Sequence, residues 1–378
     1  MESKGITAKS VEELRLGLDS AISAGFSPTL VIAFASTSHD IGQISEVCDQ
    51  KGVDLFCCST AGEICGDNGA AGIFEESISL LLLNVDKGLY RISMFGVENG
   101  KYTEAAAAGA QWAASCFAKP ALIAAQGGFG GNGDDIVKGI FSRLDRSAPV
   151  FGGLAGDDLK MSRTQVGTNG KVSDSGLLFL VFDNEKIEVS GVASSGWLEV
   201  GVFKTVTSSS GNVIHTIDGE PALEVYRDYL GDEVVEGAIV GVTWPIYVWR
   251  EDGGKVLRES MYFDHENGSI SYSGNIPQGS KIKFAANPGD GAIKSALADI
   301  AEFKQEQPDT EAIILFSCKA RHVALGPMIR DEVVRIYQLW NAPMAGFFTY
   351  GEIGAKSGSG CDFHNLTCVV VSLKEKAR

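Results

Sequence analysis

The sequence lacks the features that mark several function classes. Its apolar runs, such as residues 80–83 and 177–182, fall far short of a bilayer span. The opening stretch MESKGITAKSVEELRLGL has no apolar core of the kind a secretory leader needs. The expectation is a cytoplasmic protein without membrane insertion. Positive charge is scarce: 32 Lys and Arg stand against 48 Asp and Glu, a net charge of −16. Such a surface repels phosphate backbones and anionic headgroups, so no nucleic-acid partner is expected, whereas a basic protein partner is compatible. The eight cysteines include no CxxC pair and no zinc-finger spacing, and in a chain this long they do not form a disulfide framework. Cys57 and Cys58 are adjacent and face opposite ways on a strand, so reduced, buried thiols are expected. A GxSxG elbow, an HExxH pair and a P-loop are all missing. Enzymatic activity is therefore not expected, the paired acids and Gly-rich turns being its sole support.

What is present is an ordinary globular composition, 44% hydrophobic and 21% charged over 378 residues, enough for two or three domains. Val11, Leu14, Leu18 and Ile22 fall at helical spacing, with Ser10 as N-cap and Glu13 as its capping-box partner. LVIAFAS (30–36) is a continuous apolar run that suits a strand covered on both faces. A helix over 41–51, a strand DLFCCSTAGEI (54–64) and strands over 76–84 and 90–97 follow. A second round begins with a helix over 104–117, the strand ALIAAQ (121–126), the turn GGFGGNGDD (127–135), a helix over 136–145, PVFGGLAGDD (149–158) and SGLLFLVF (175–182). A third round runs from AIILFS (312–317) through a helix over 329–340 to AGFFTYGEIG and NLTCVVVSL.

A unit thus recurs: buried strand, helix, strand ending in a Gly-acid turn, apolar strand. The acids are Glu63, Asp157 and Glu352, and the glycine before each suits a turn with positive φ. A shared acid there either caps a loop or meets a ligand. Between rounds two and three lies a different block. Residues 195–219, 238–250, 256–264 and 269–274 read as strands, and residues 220–231 as a short helix with Pro221 in its first turn. The expected fold is mixed α/β (α+β): two packed domains, 1–190 and 191–378, with internally repeated strand-helix-strand units and mixed sheets covered by helices.

Two constellations invite a functional reading. GGFGGNG contains GxGxxG, but Asp134 and Asp135 follow where a pyrophosphate would sit and would repel it, so a tight small-residue turn is expected. The polar residues of the third round are denser: Cys318, Arg321, His322, Glu352, Cys361, Asp362, His364 and Asn365, flanked by Phe347, Phe348, Tyr350 and Trp340. A neutral imidazole there could ligate iron, with aromatic walls and Arg321 or Arg330 as the cation for propionates; a hydrogen-bonding role for His364 at a strand start competes.

SCKARHVALG, GFFTYGEIG and FHNLTCVVVSL resemble the C-terminal half of FIST-domain sensory proteins, and CCSTAGEI and FGGLAGDD resemble the N-terminal half. The likeness extends from about residue 28 to 373. It implies a FIST N-terminal domain over 1–190, a FIST C-terminal domain over 191–378, and a bacterial small-ligand sensor. One branch of that family binds haem, senses nitric oxide and signals to a separate histidine kinase in a two-component system, and a chain without a fused kinase or cyclase resembles that branch. The resulting expectation is a haem b site made from His364, His322, Arg321, Glu352 and Tyr350, with His364 as the metal ligand and His322 as second choice. The ligand is then a gas, the partner is a histidine kinase, and homo-oligomers are compatible. The alternative is a sensor for a small metabolite such as an amino acid, with Arg321 on its carboxylate and Glu352 or Asp157 on its ammonium group. A plain interaction scaffold is a further alternative, resting on the acidic surface.

Overall fold

The computed structural model describes residues 1–237, 239–250, 253–356 and 360–376. The apolar runs become the central strands of three six-stranded sheets. The first unit of chain contains β1 (Glu2–Ala8), α1 (Val11–Ser23), β2 (Leu30–Ala35), α2 (Ile41–Lys51), β3 (Asp54–Ser59), β4 (Glu63–Asp67), β5 (Ala70–Phe74) and β6 (Ile78–Asn84). The second repeats that order: β7 (Tyr90–Gly96), α3 (Tyr102–Cys116), β8 (Pro120–Gly127), α4 (Gly133–Phe141), β9 (Val150–Leu154), β10 (Val166–Thr168), β11 (Lys171–Ser173) and β12 (Gly176–Asp183). The third begins with β13 (Ile187–Ser194), and the division expected near residue 190 falls within this strand.

An insertion then interrupts the third unit. It carries β14 (Leu198–Ser210), β15 (Val213–Ile217), β16 (Glu220–Pro221), α5 (Ala222–Leu230), α6 (Asp232–Val235), α7 (Val240–Thr243), β17 (Ile246–Trp249), β18 (Lys255–Arg258), β19 (Ser260–Phe263), β20 (Ile270–Tyr272) and β21 (Lys281–Ala286). The third unit resumes with α8 (Asp290–Glu306), β22 (Ala312–Cys318), α9 (Lys319–Leu325), α10 (Ile329–Trp340), β23 (Met344–Thr349), β24 (Glu352–Ala355), β25 (Cys361–His364) and β26 (Cys368–Glu375).

The three sheets share one plan. Their orders are β1-β6-β2-β3-β10-β11, β7-β12-β8-β9-β24-β25 and β13-β26-β22-β23-β4-β5. In each, one parallel pair (β2/β3, β8/β9 or β22/β23) is flanked by antiparallel neighbours. The hairpin that follows the Gly-acid turn never stays in its own sheet. The first unit's hairpin pairs with β23, the third unit's with β9, and the second unit's with β3. The units are therefore linked in a closed cycle by strand exchange.

Alternation along the strands explains the unbroken apolar runs. Leu30, Ile32 and Phe34 of β2 face a central core shared by all three sheets, together with Phe151, Phe316 and Phe347. Val31, Ala33 and Ala35 face the other way, onto α1 and α2. A strand covered on both faces has no polar side to present. The rings of Phe34 and Phe347 lie 4.7 Å apart, joining two sheets at the centre. α3 and α4 cover the second sheet, and α8 and α10 the third.

Several sequence expectations need correction. Residues 240–243 form a helical turn rather than part of a strand, and Ala238 of that expected strand lies outside the described residues. α4 starts at Gly133, earlier than residue 136, because the Asn132 side chain accepts the Asp134 N–H and caps it there. Glu13 caps the Lys9 N–H rather than that of Ser10, while Ser10 Oγ accepts from Glu13 as expected. Gly62 and Gly351 have φ of +116° and +151°, as the turn reading requires. Gly156 is there for space: a Cβ would come within 2.6 Å of the Ala61 nitrogen.

Candidate functional site

Glu63 and Glu352 are the first residues of β4 and β24, buried where the chain crosses from one sheet to the next. Each closes the same small ring. Glu63 accepts from the Thr60 hydroxyl and from Ser77, through its N–H at 3.0 Å and its hydroxyl at 2.6 Å. Glu352 accepts from the Thr349 hydroxyl and from Thr367, through its N–H at 3.3 Å and its hydroxyl at 2.7 Å. Burial pushes their carboxyls up, to about 7 for Glu63 and about 8 for Glu352. Asp157 differs: burial would raise it, but the Tyr350 hydroxyl and the N–H groups of Ser162, Arg163 and Met161 hold it below the usual carboxylate range. All three acids thus tie down crossovers.

The other residues expected to form one site are dispersed. The Arg321 guanidinium is buried against Glu332, with Nε at 2.9 Å and Nη2 at 2.5 Å, and it donates to the carbonyls of Ser195 and Leu366. Its charge is fully compensated, which leaves no face for a propionate or a substrate carboxylate. Tyr350 donates to Asp157 at 2.7 Å and accepts from the Leu159 N–H at 2.8 Å. Glu352 and His364 are register partners across β24 and β25, yet each side chain is bonded elsewhere. His364 is buried with Nε2 3.0 Å from the Gly354 carbonyl oxygen, inside its own hairpin. Burial, with Lys356 and Arg258 nearby, holds its ring well below the usual imidazole range, so it stays neutral. His364 Nε2 is engaged within its own hairpin and Nδ1 is buried without a hydrogen-bond partner among the described residues, so an iron could approach this ring only at Nδ1, inside the packed fold. His322 is half-buried and stacks on Phe348 at 4.3 Å, with Nδ1 3.3 Å from Lys319 Nζ. Burial and then Lys319 bring its ring down to about 4. Among the described residues no group of three or more His, Cys, Asp and Glu side chains is arranged to hold a metal ion.

The structure instead gathers polar groups where the insertion meets the core. The glycine-rich turn of the second unit leads into Asp134, whose carboxylate turns away from its own helix. Both its oxygens accept from Arg258 Nη2 at 2.9 Å, and it also accepts from Arg250 Nη2 at 2.7 Å and the Asn275 N–H at 2.8 Å. Arg258 is fully buried and donates further to the Phe363 carbonyl at 3.0 Å and to Asn365 Oδ1 at 3.2 Å. The Asn132 amide reaches Asn275 at 2.8 Å. One carboxylate of the core thus holds two arginines and a backbone N–H of the insertion. In and beside this latch, among the described residues, are buried polar atoms without a hydrogen-bond partner: Arg250 Nε, Arg258 Nε, Glu259 Oε2, His364 Nδ1 and Asn365 Nδ2. Burial pushes the Glu259 carboxyl up to about 7. Such a concentration of unsatisfied groups is costly in a finished core and suits a surface that rearranges or receives a ligand.

Beside the latch opens a cleft of about 1370 Å³ between α4 and the insertion, lined by Asp134, Lys138, Arg146, Trp249, Arg250 and Asp362 among others. A smaller cleft of about 480 Å³ is lined by residues of the first and second units, among them Asp54, Tyr90 and Asn169. None of the five residues expected from the sequence lines either one. The signal missed was Arg258, an arginine directly after the apolar pair Val256 and Leu257 of an expected strand, which calls for a partner if buried.

The chain matches the FIST N domain over residues 29–220 and the FIST C domain over residues 222–355. The change-over between the two falls inside the insertion, at the start of α5. An uncharacterized protein of Mycobacterium bovis is 27% identical over 186 residues, covering 47% of this chain and 48% of the relative. An uncharacterized protein of Mycobacterium tuberculosis is 26% identical over 228 residues, covering 58% and 59%. The chain spans about half the length of the curated relatives it matches.

Proposed function

The chain belongs to the FIST family, and from that premise we propose that it is a sensory protein that binds a small ligand in the cleft between the three-unit core and the insertion. The observation that carries this reading is the latch at the cleft's edge. Asp134 of the core holds Arg250, Arg258 and Asn275 of the insertion, so any ligand that competes for Arg250 changes how the two parts sit. Clefts between lobes are favoured ligand sites, and a ligand shifts the lobes only by as much as its affinity differs between their arrangements. The protein acts by binding rather than by catalysis, and its output passes to a separate partner, for which a histidine kinase is the candidate the family resemblance supplies. No described helix is long and apolar enough to cross a membrane.

The test is a thermal-shift screen of small metabolites against the full chain and a Trp249→Ala variant. A compound that stabilises the parent by mass action and fails on the variant supports the cleft. A screen in which every stabilising compound works equally on both overturns it. An amino acid remains within this reading, although Arg321, Glu352 and Asp157 are all engaged inside the fold, so the groups that meet it would be those of the cleft.

The haem and nitric-oxide reading has one observation in its favour. His322 is neutral, half-buried and beside Phe348, and its Nε2 has no hydrogen-bond partner among the described residues. It is therefore the more accessible of the two imidazoles considered, His364 being buried. Purified protein supplied with haem should then show a stoichiometric Soret band that His322→Ala shifts and His364→Ala leaves in place. Absence of the band rules this reading out.

A further inference from the structure

We infer that the ligand of the interlobe cleft is a small multiply charged anion, of the phosphate monoester or polycarboxylate type. This inference rests on the cleft reading proposed above and adds the chemical class. In a chain of net charge −16, a cleft drawn at random from the surface would be acidic. Among the described residues this one presents four cations, Lys138, Arg146, Arg250 and Lys281, against three carboxylates, Asp134, Asp135 and Asp362. Asp134 pairs with Arg258, which lies behind it and does not line the cleft, so Arg250, which also pairs with Asp134 and lies 3.9 Å from Asp362, is not the sole counter-ion of Asp134.

The cations stand on both walls. Lys138 and Arg146 belong to α4 and the segment after it, and neither forms an ion pair among the described residues. The Arg146 guanidinium lies 5.0 Å above the Phe141 ring, which also lines the cleft and holds the side chain against the wall. Arg250 and Lys281 belong to the insertion. Lys281 donates to the Thr205 hydroxyl at 2.7 Å. Arg250 uses Nη2 on Asp134, and its Nε–H is buried without an acceptor. A phosphate or carboxylate group entering between the walls supplies that acceptor. A guanidinium takes an oxyanion through two adjacent N–H groups, the geometry in which it binds most strongly. The second charge of the ligand then meets Lys138 and Arg146 across the gap. A monovalent anion satisfies one wall only, whereas a divalent or trivalent one bridges both and draws them together. Trp249 lines the same cleft and reports its occupancy.

Tryptophan fluorescence of the full chain at low ionic strength tests the inference, with inorganic phosphate and citrate as separate titrants and Trp249→Phe as the control for signal. The expected result is saturable binding of at least one titrant, lost from the signal in Trp249→Phe and weakened about tenfold or more in the Lys138→Gln/Arg146→Gln double variant. Both of those residues are exposed, so that variant keeps the fold. Which titrant saturates first separates phosphate from polycarboxylate. Equal anion affinity in the double variant overturns the inference. So does binding of a neutral or zwitterionic metabolite at the cleft when neither anion saturates, an outcome that leaves the sensory reading standing. Failure of compounds of every charge to bind defeats that reading as well.

Discussion

Removal of the Asp134 carboxylate should expose how far the insertion depends on one charge. Asp134→Ala deletes the counter-ion of Arg258, whose side chain has no solvent exposure, and deletes the nearer of the two carboxylates paired with Arg250. The Arg258–Asp134 contact is 2.9 Å, which at an effective dielectric constant of 20 corresponds to about 6 kcal/mol of Coulomb attraction. Part of that is returned because the buried carboxylate's own desolvation disappears with it. Arg258 also keeps the carbonyls of Leu257 and Phe363 and the Asn365 amide oxygen as neutral acceptors. The net cost should therefore fall in the range of about 3–5 kcal/mol found when one partner of a buried pair is removed. Urea unfolding followed by tryptophan fluorescence should show the insertion, which carries Trp244 and Trp249, unfolding earlier and apart from the core. Asp134→Asn, which keeps one acceptor oxygen, should cost less. In a double-mutant cycle, Arg258→Met should recover most of the loss in the Asp134→Ala background. A cost below about 1 kcal/mol, the level of an exposed pair, or strict additivity in the cycle, would refute the reasoning.

Two further outcomes follow from the crossovers. Glu63 and Glu352 have folded-state pKa values raised by burial from an ordinary value of 4.5 to about 7 and about 8. The folded state thus binds their protons more tightly than the unfolded chain, and their contribution is fully present below about pH 4.5 and is lost as the pH rises through 7 and 8. Stability measured by denaturant should fall across that window, and Glu352→Gln should flatten the slope at its alkaline end; an unchanged slope would count against the buried acid. Gly351→Ala places a Cβ 2.4 Å from the buried Phe363 ring at a φ of +151° and should cost at least about 1–3 kcal/mol, whereas Gly96→Ala, with open space around it, should stay within about 0.5 kcal/mol. Equal midpoints in thermal melts of the two variants would contradict the packing described.

The repeat was legible because its cause is local. A strand covered on both faces must be apolar throughout, and a turn that carries the chain to another sheet must have glycine, so LVIAFAS, ALIAAQ and AIILFS announce themselves. Which sheet each hairpin joins was not legible, because exchange between units leaves the same residues buried as a hairpin that stays at home. The residues first expected to form the site lie apart from the cleft for a related reason. Arg321, Glu352 and His364 are close in sequence and polar, but each finds its partner inside the fold: Glu332, Thr367 and the Gly354 carbonyl. Polar density marked residues that bond to other parts of the fold. The latch joins Asp134 to Arg258, residues 124 apart, and no local pattern ties the two.

The cyclic exchange of hairpins also bears on how the chain is made. The β4–β5 hairpin, complete by residue 74, has its sheet partner in β23, which begins at Met344. A ribosome working from the N-terminus therefore releases the first hairpin long before the strand it belongs to, and pairings of such sequence separation form slowly. Throughout that interval the outer edge of β4 is an open strand edge, of the kind that invites pairing between neighbouring nascent chains. The third sheet is the last to gain its members, so the cycle closes only near the end of synthesis, and a chain truncated before residue 344 would lack the partner of its first hairpin.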